Sequence, residues 1–266
     1  MNASSKKPVI KWDKATSQSA EYDLLGEEPL SIRVDGEPYA VVMRTPGDEL
    51  AHAAGFCLAE GIVDTPDDIA TLSCCEDADH NTVTVTLSRA RRNSIADLLN
   101  RRGFISQTSC GLCGKQIVKD LQQMIRPFSD NTQIDSNLAL ACLENLRRYQ
   151  PLRAKTRASH AAALYSADLE LLATAEDAGR HNAIDKAVGK LFLDRRLDQA
   201  MLGVLSSRIS YELVQKAARA GIPIIFAVSR PTSLAVELAA GLNMTLACLA
   251  DKSGLLIFCN EQRLKR

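Results

Sequence analysis

The sequence predicts an α/β protein in which a small N-terminal α+β domain precedes a larger α/β domain with a mainly parallel sheet. Two observations carry that expectation. From Met201 onward, strand-like and helix-like runs alternate in βαβαβ order, which calls for parallel strands joined by right-handed crossovers. Before residue 108 the strands are instead joined by a tight turn and short helices, without that alternation. The 266 residues are 46% hydrophobic, enough to fill the core of one large domain or two ordinary ones. The expected division is a flexible tail over 1–20, the small domain over 21–108 and the larger domain over 109–266.

Residues 1–19 are polar, rich in Ser and Lys, and without periodicity, which predicts the tail. Pro29 to Val34 and Pro38 to Met43 are β-prone and flank Asp35-Gly36, a dipeptide suited to the left-handed conformations of a hairpin turn. Pro46-Gly47-Asp48 opens a helix expected to run to about Glu60, with Gly61 as its stop. Strands are expected over Thr71 to Cys75 and Thr82 to Leu87, the second alternating threonine with valine, and a basic helix from Arg91 to Arg102. A further helix beginning near Lys115 places Ile117, Leu121, Met124 and Ile125 on one face. Asp135-Ser136 caps a helix with Leu138, Cys142 and Leu146, and Ala161 to Tyr165 reads as a buried strand. Ala183, Ile184, Ala187, Val188, Leu191 and Phe192 recur at helical spacing. The alternating region reads as strand Met201–Leu205, helix Tyr211–Ala220, strand Ile222–Val228, helix Ser233–Leu242 and strand Thr245–Leu249.

Lys plus Arg equals Asp plus Glu at 32 each, so no bulk field points to nucleic acid or a membrane surface. A charged ligand must be held locally. The first residues lack an apolar run of signal-peptide length, and no stretch reaches the roughly eighteen apolar residues of a membrane span, so a cytoplasmic protein is expected. Eight cysteines form no disulfide framework, and most are expected to be reduced core residues.

The exception is Ser109-Cys110-Gly111-Leu112-Cys113-Gly114-Lys115, where two thiols stand in a glycine-flanked loop that a large second molecule could approach. Such a pair can close a disulfide, supply half a zinc site or pass a sulfur atom. The neighbouring lysine and the helix expected to follow favour a thiolate, the nucleophilic form. Zinc would need two more thiolates or imidazoles, and the chain has no second Cys-x-x-Cys and no closely spaced histidine pair. A dithiol oxidoreductase remains open, but an open glycine-flanked loop suits sulfur relay best: a thiolate takes the terminal sulfur of a donor persulfide and presents it to an acceptor.

Two further constellations are polar. In Glu176-Asp177-Ala178-Gly179-Arg180-His181-Asn182-Ala183-Ile184-Asp185-Lys186, His181 is either a proton shuttle or ligand contact, or part of a network tying the loop down. In a parallel sheet, ligands sit beyond the carboxyl ends of the strands. Here those ends are Ser206-Ser207-Arg208, Ser229-Arg230-Pro231-Thr232-Ser233 and Ala250-Asp251-Lys252-Ser253-Gly254, and the first two feed helix starts that suit phosphate groups. Ser207, Arg208, Ser229 and Thr232 are the candidate contacts, with N-capping as the competing role for the hydroxyls. No dinucleotide fingerprint or P-loop is present.

The cysteine loop and the Glu176–Lys186 run, together with Met43-Arg44-Thr45-Pro46-Gly47-Asp48 and Ser210-Tyr211-Glu212, closely resemble the FdhD family of formate dehydrogenase accessory sulfurtransferases, from about residue 22 to the end. The resemblance implies a cytidine-deaminase-like second domain without the deaminase zinc, and a homodimer. It implies that a cysteine desulfurase donates sulfur, carried as a persulfide on Cys110 with Cys113 as its partner thiol. The implied acceptor is the molybdenum cofactor, as Mo-bis(molybdopterin guanine dinucleotide), before its insertion into formate dehydrogenase. The implied pterin-binding stretch maps by position to Leu249, Ala250, Asp251, Lys252, Ser253 and Gly254; His181 joins the candidate cofactor contacts from its own polar setting. A cofactor chaperone that moves no sulfur is the alternative. The chain departs from the family's common pattern at Thr156-Arg157-Ala158-Ser159-His160, where Thr-Gly-Gly usually precedes the histidine, at Ser206-Ser207-Arg208 for Ser-Gly-Arg, and at Cys248-Leu249 for Gly-Phe.

Overall fold

The structure, a computed structural model, describes residues 2–74, 81–95, 125–130, 132–251 and 254–265. The expected tail is the first correction. β1 (Ser4–Trp12) and β2 (Ser17–Leu25) pair antiparallel from Ser4↔Leu25 to Trp12↔Ser17. The Asp13 carboxylate closes their turn by accepting the N–H groups of Ala15 and Thr16 at 3.0 and 3.1 Å. Polar composition hid this ribbon because most of its side chains face solvent and leave no apolar period.

β3 (Glu28–Val34) and β4 (Glu37–Arg44) form the expected hairpin, with Asp35 and Gly36 at φ 51° and 86°. β5 (Ile69–Cys74) and β6 (Thr82–Leu87) complete a sheet of order β4-β3-β6-β5, in which only β3 and β6 run parallel. Leu30, Ile32, Val34, Val83, Val85 and Leu87 turn inward at period two. α1 (Glu49–Ala59) starts and stops as expected, between Asp48 at φ 59° and Gly61 at φ 75°. α2 (Arg89–Ser94) begins earlier than expected, under a Ser88 cap; its continuation to Arg102, Cys75 and the helix near Lys115 lie outside the described residues.

After β7 (Ile134–Asp135), the Asp135 carboxylate accepts the N–H groups of Asn137 and Leu138, both at 2.9 Å, and starts α3 (Ser136–Glu144). α4 (Pro151–Thr156) leads to β8 (His160–Tyr165) and β9 (Leu171–Asp177), then α5 (Arg180–Leu193). The alternating region follows as β10 (Leu202–Leu205), α6 (Tyr211–Arg219), β11 (Ile224–Ala227), α7 (Ser233–Gly241) and β12 (Thr245–Leu249). β13 (Leu255–Cys259) and β14 (Leu264–Lys265) end the chain.

The large sheet has the order β13-β12-β11-β10-β8-β9. β10, β11 and β12 run parallel, whereas β8 is antiparallel to both its neighbours and β13 to β12. A mainly parallel sheet is therefore corrected to a mixed one with a parallel centre. Hairpin connections flank the βαβαβ run, and a strand that returns through a short turn must reverse direction.

Both faces of the large sheet are covered. Ala162, Leu164, Ile225 and Ala227 face a core shared with α1, α5, α6 and the smaller sheet, while Ala161, Ala163, Ile224 and Phe226 face a second core with Leu143 of α3. The first core runs without interruption from Leu30 to Leu246, so the two parts of the chain are packed as one body. Its centre is the crossing of α1 and α5, where a Cβ on Gly55 would sit 1.9 Å from the Asp185 carbonyl oxygen and one on Gly189 1.7 Å from that of Ala51. Only glycine lets the two helix backbones approach so closely. Among the described residues no helix is long and apolar enough to cross a membrane.

Candidate functional site

β10, β11 and β12 end on one edge of the large sheet, and backbone and ionic links join their loops. Val228 N–H donates to the Leu205 carbonyl at 3.0 Å, Thr232 N–H to that of Ile209 at 3.0 Å, and Arg230 reaches Asp251 at 3.4 Å. Ser207, Arg208, Ser229, Thr232, Ala250, Asp251 and Gly254 thus share this edge, as the strand ends require; Lys252 and Ser253 lie outside the described residues. Arg208, Ser229 and Thr232 are exposed, whereas Ser207 is buried with its hydroxyl donated to the Arg208 carbonyl at 2.9 Å. Thr232 also performs the competing role: its Oγ1 accepts the Ala235 N–H at 3.3 Å and caps α7. Leu249 closes β12, and Ala250 N–H bonds to Gly254 O at 3.0 Å to form the turn into β13. Val228 and Leu234 add exposed apolar surface beside these polar groups.

The first turn of α5 brings His181 to the same edge. Its Nε2 stands 3.1 Å from Glu212 Oε2 and 3.3 Å from Ser210 Oγ, and Ser210 Oγ donates to that carboxylate at 3.2 Å. The hydrogen bond from His181 is the main reason that the Glu212 carboxyl drops to about 2, with burial opposing it and Ser210 and Arg180 assisting. Nearby, His160 Nδ1 lies 3.4 Å from Ser206 Oγ, which also accepts the Ala161 N–H at 2.8 Å. Burial, then the charges of Arg153, Arg180 and His181, hold His160 below its ordinary value. Arg180 Nε is buried and has no partner among the described residues.

The second half of the same polar run builds something different. Asp177, the last residue of β9, is fully buried and its Oδ2 meets Lys186 Nζ at 2.7 Å. It also accepts N–H groups from Thr45 at 3.0 Å, Gly179 at 2.9 Å and the Asn182 side chain at 2.9 Å. Lys186 donates in addition to the Thr45 carbonyl at 2.7 Å. The knot fixes the loop after β4 to the start of α5. An open pocket of about 410 Å³ borders it, lined by Pro46, Asp48, Tyr149, Glu176, Lys186 and Lys190. Its lysines are already engaged, Lys190 with Asp48 at 2.8 Å and the Thr174 carbonyl at 3.0 Å.

Cys110 and Cys113 lie outside the described residues. Among the described cysteines, burial pushes the thiols of Cys57, Cys142, Cys248 and Cys259 above the ordinary value, which suppresses the nucleophilic thiolate. Sequence reasoning placed His181 but missed Glu212, His160, Ser206 and Ser210 as its neighbours. The signal was the short spacing Ser210-x-Glu212 at a helix start, which lets both side chains meet one ring nitrogen.

The sequence profile of the FdhD/NarQ family matches residues 25–265. The chain belongs to this family. It is 38% identical over 249 residues to the sulfur carrier protein FdhD of Streptomyces avermitilis, covering 91% of this chain and 88% of that one. With the sulfur carrier protein FdhD of Mycobacterium tuberculosis it shares 38% over 250 residues, 90% of each chain. A crystal structure from Desulfotalea psychrophila, described as a formate dehydrogenase accessory protein, superposes with a TM-score of 0.79 at 21% identity, covering 99% of this chain and 100% of that one. That likeness concerns the fold. Within this chain Arg157 takes φ 58° just past the end of α4, a conformation that glycine adopts without strain.

Proposed function

We propose that this protein is a sulfur carrier required for formate dehydrogenase activity. The observation that carries the reading is family membership across residues 25–265, with relatives named as sulfur carriers over about nine-tenths of the chain. The Cys110-Gly111-Leu112-Cys113-Gly114 motif stands intact in the sequence, and four of the other thiols are suppressed by burial. A cysteine desulfurase presents a persulfide; the Cys110 thiolate attacks its outer sulfur, forms the new S–S bond and releases the donor thiolate. Cys113 is the partner thiol in delivery. The acceptor substrate is Mo-bis(molybdopterin guanine dinucleotide), whose phosphates are expected to meet the sheet edge at Ser207, Arg208, Ser229, Thr232, His181 and the Leu249–Gly254 turn. Two helix starts, Arg208 and apolar Val228 and Leu234 support that placement.

The finer fold reading, cytidine-deaminase-like, draws support from the order β9-β8-β10-β11-β12, in which β8 alone is reversed. A homodimer working in the cytoplasm completes the proposal. The alternative, a cofactor chaperone that moves no sulfur, draws on the same edge and differs at Cys110. The protein is incubated with a cysteine desulfurase and cysteine, and added sulfur is mapped by peptide mass. Sulfur on the Cys110 peptide, lost in Cys110→Ala, is expected; equal loading of Cys110→Ala sinks the carrier assignment, and no loading at all favours the chaperone.

A further inference from the structure

We propose that Glu212 is a positioning residue that fixes His181 as the proton acceptor of the sheet edge, so that a phosphate-bearing ligand binding there takes up a proton at His181 Nδ1. The inference rests on the reading that this edge meets the acceptor's phosphates. Its basis is the geometry around one ring nitrogen. Ser210 has a single hydroxyl proton, and that proton is donated to Glu212. Ser210 Oγ and Glu212 Oε2 therefore both face His181 Nε2 as acceptors, at 3.3 and 3.1 Å. Two acceptors on one nitrogen require it to carry the hydrogen. In the neutral ring Nδ1 is then bare, and among the described residues it has no hydrogen-bonding partner.

The arrangement is not a serine nucleophile with its base. There the hydroxyl and the carboxylate engage opposite ring nitrogens, whereas here they share Nε2. What remains is a partly buried imidazole, 28% accessible, braced at Nε2 and without a partner at Nδ1 among the described residues. The charged and titratable groups of this cluster are Arg180 and Asp185 on α5, Glu212 on α6 and His160 on β8, with Arg153 of α4 beside His160. A bare Nδ1 offers a lone pair to an anion, which repels it. A proton taken from solvent turns the same atom into a donor, and the Glu212 carboxylate then faces an imidazolium. No other bond forms or breaks. Arg180, with its buried and unpartnered Nε, supplies a second cation in the cluster.

Two measurements test this. Ring ¹⁵N shifts of His181 near pH 8 should show the hydrogen on Nε2 in wild type and a mixture of both forms in Glu212→Ala; a hydrogen on Nδ1 in wild type overturns the positioning role. Calorimetric titration of inorganic pyrophosphate near neutral pH, in two buffers of different ionisation enthalpy, counts protons. Wild type should take up a fraction of a proton per ligand, and His181→Gln should bind about tenfold more weakly without uptake. Binding with the same uptake in His181→Gln overturns the coupling while leaving the edge as a phosphate site. Absence of pyrophosphate binding in wild type removes the edge reading and the coupling with it.

Discussion

Within the run Glu176–Lys186, two polar clusters stand a few residues apart and are built on opposite plans. The Asp177–Lys186 knot is fully buried, and its carboxylate is answered by Thr45, Gly179, Asn182 and Lys186. The His181–Glu212 cluster is half-exposed and open, with Nδ1 of the imidazole and Nε of Arg180 unanswered among the described residues. Burial with every valence filled makes architecture, because an unpaired charge there is costly. Exposure with valences left over leaves atoms that water fills and that a ligand could take over. Sequence alone showed one polar stretch and could not divide it.

The comparison breaks if the knot proves dispensable. Asp177→Ala leaves Lys186 charged and buried without its partner, and should cost about 3–5 kcal/mol in urea unfolding. A loss under about 1 kcal/mol would show that the knot is not architectural.

The open cluster should cost the fold far less. Glu212 falls to about 2 in the folded protein from an ordinary 4.5. Its depressed value means that its stabilisation is fully present above about 4.5 and is lost as pH falls towards 2. The side chain is 42% exposed, so solvent screening holds the effect under about 1 kcal/mol. The stability difference between wild type and Glu212→Gln, followed from pH 6 downward, should shrink across that window; a difference that grows on acidification contradicts the pairing.

Much of the frame was legible in the sequence. Asp35-Gly36, the Asp135 cap and the βαβαβ alternation all act through local rules, and each element stands where those rules place it. The missed elements are those whose order depends on distant partners. β9, with its short alanine-rich alternation, and β13, an apolar run at the sheet margin, gain their identity from pairing with β8 and β12. The ribbon of β1 and β2 is stabilised by its turn and ladder rather than by buried side chains. At the site, His181 was readable as a polar residue at a helix start, but Glu212 reaches the cluster from α6 and Ser206 from just after β10, at distances from His181 along the chain that no spacing rule covers.

Arg208→Ala should cost the fold nothing, since the exposed guanidinium makes no hydrogen bond or ion pair among the described residues. It also tests most directly the claim that the open edge, not the closed knot, meets the acceptor. Guanosine and adenosine diphosphates are titrated against wild type and Arg208→Ala. The account predicts that wild type prefers the guanine nucleotide, and that Arg208→Ala binds it about tenfold more weakly or worse, the loss of one charge-assisted hydrogen bond. Equal binding of both nucleotides by both proteins would contradict it and leave the edge loops as helix caps.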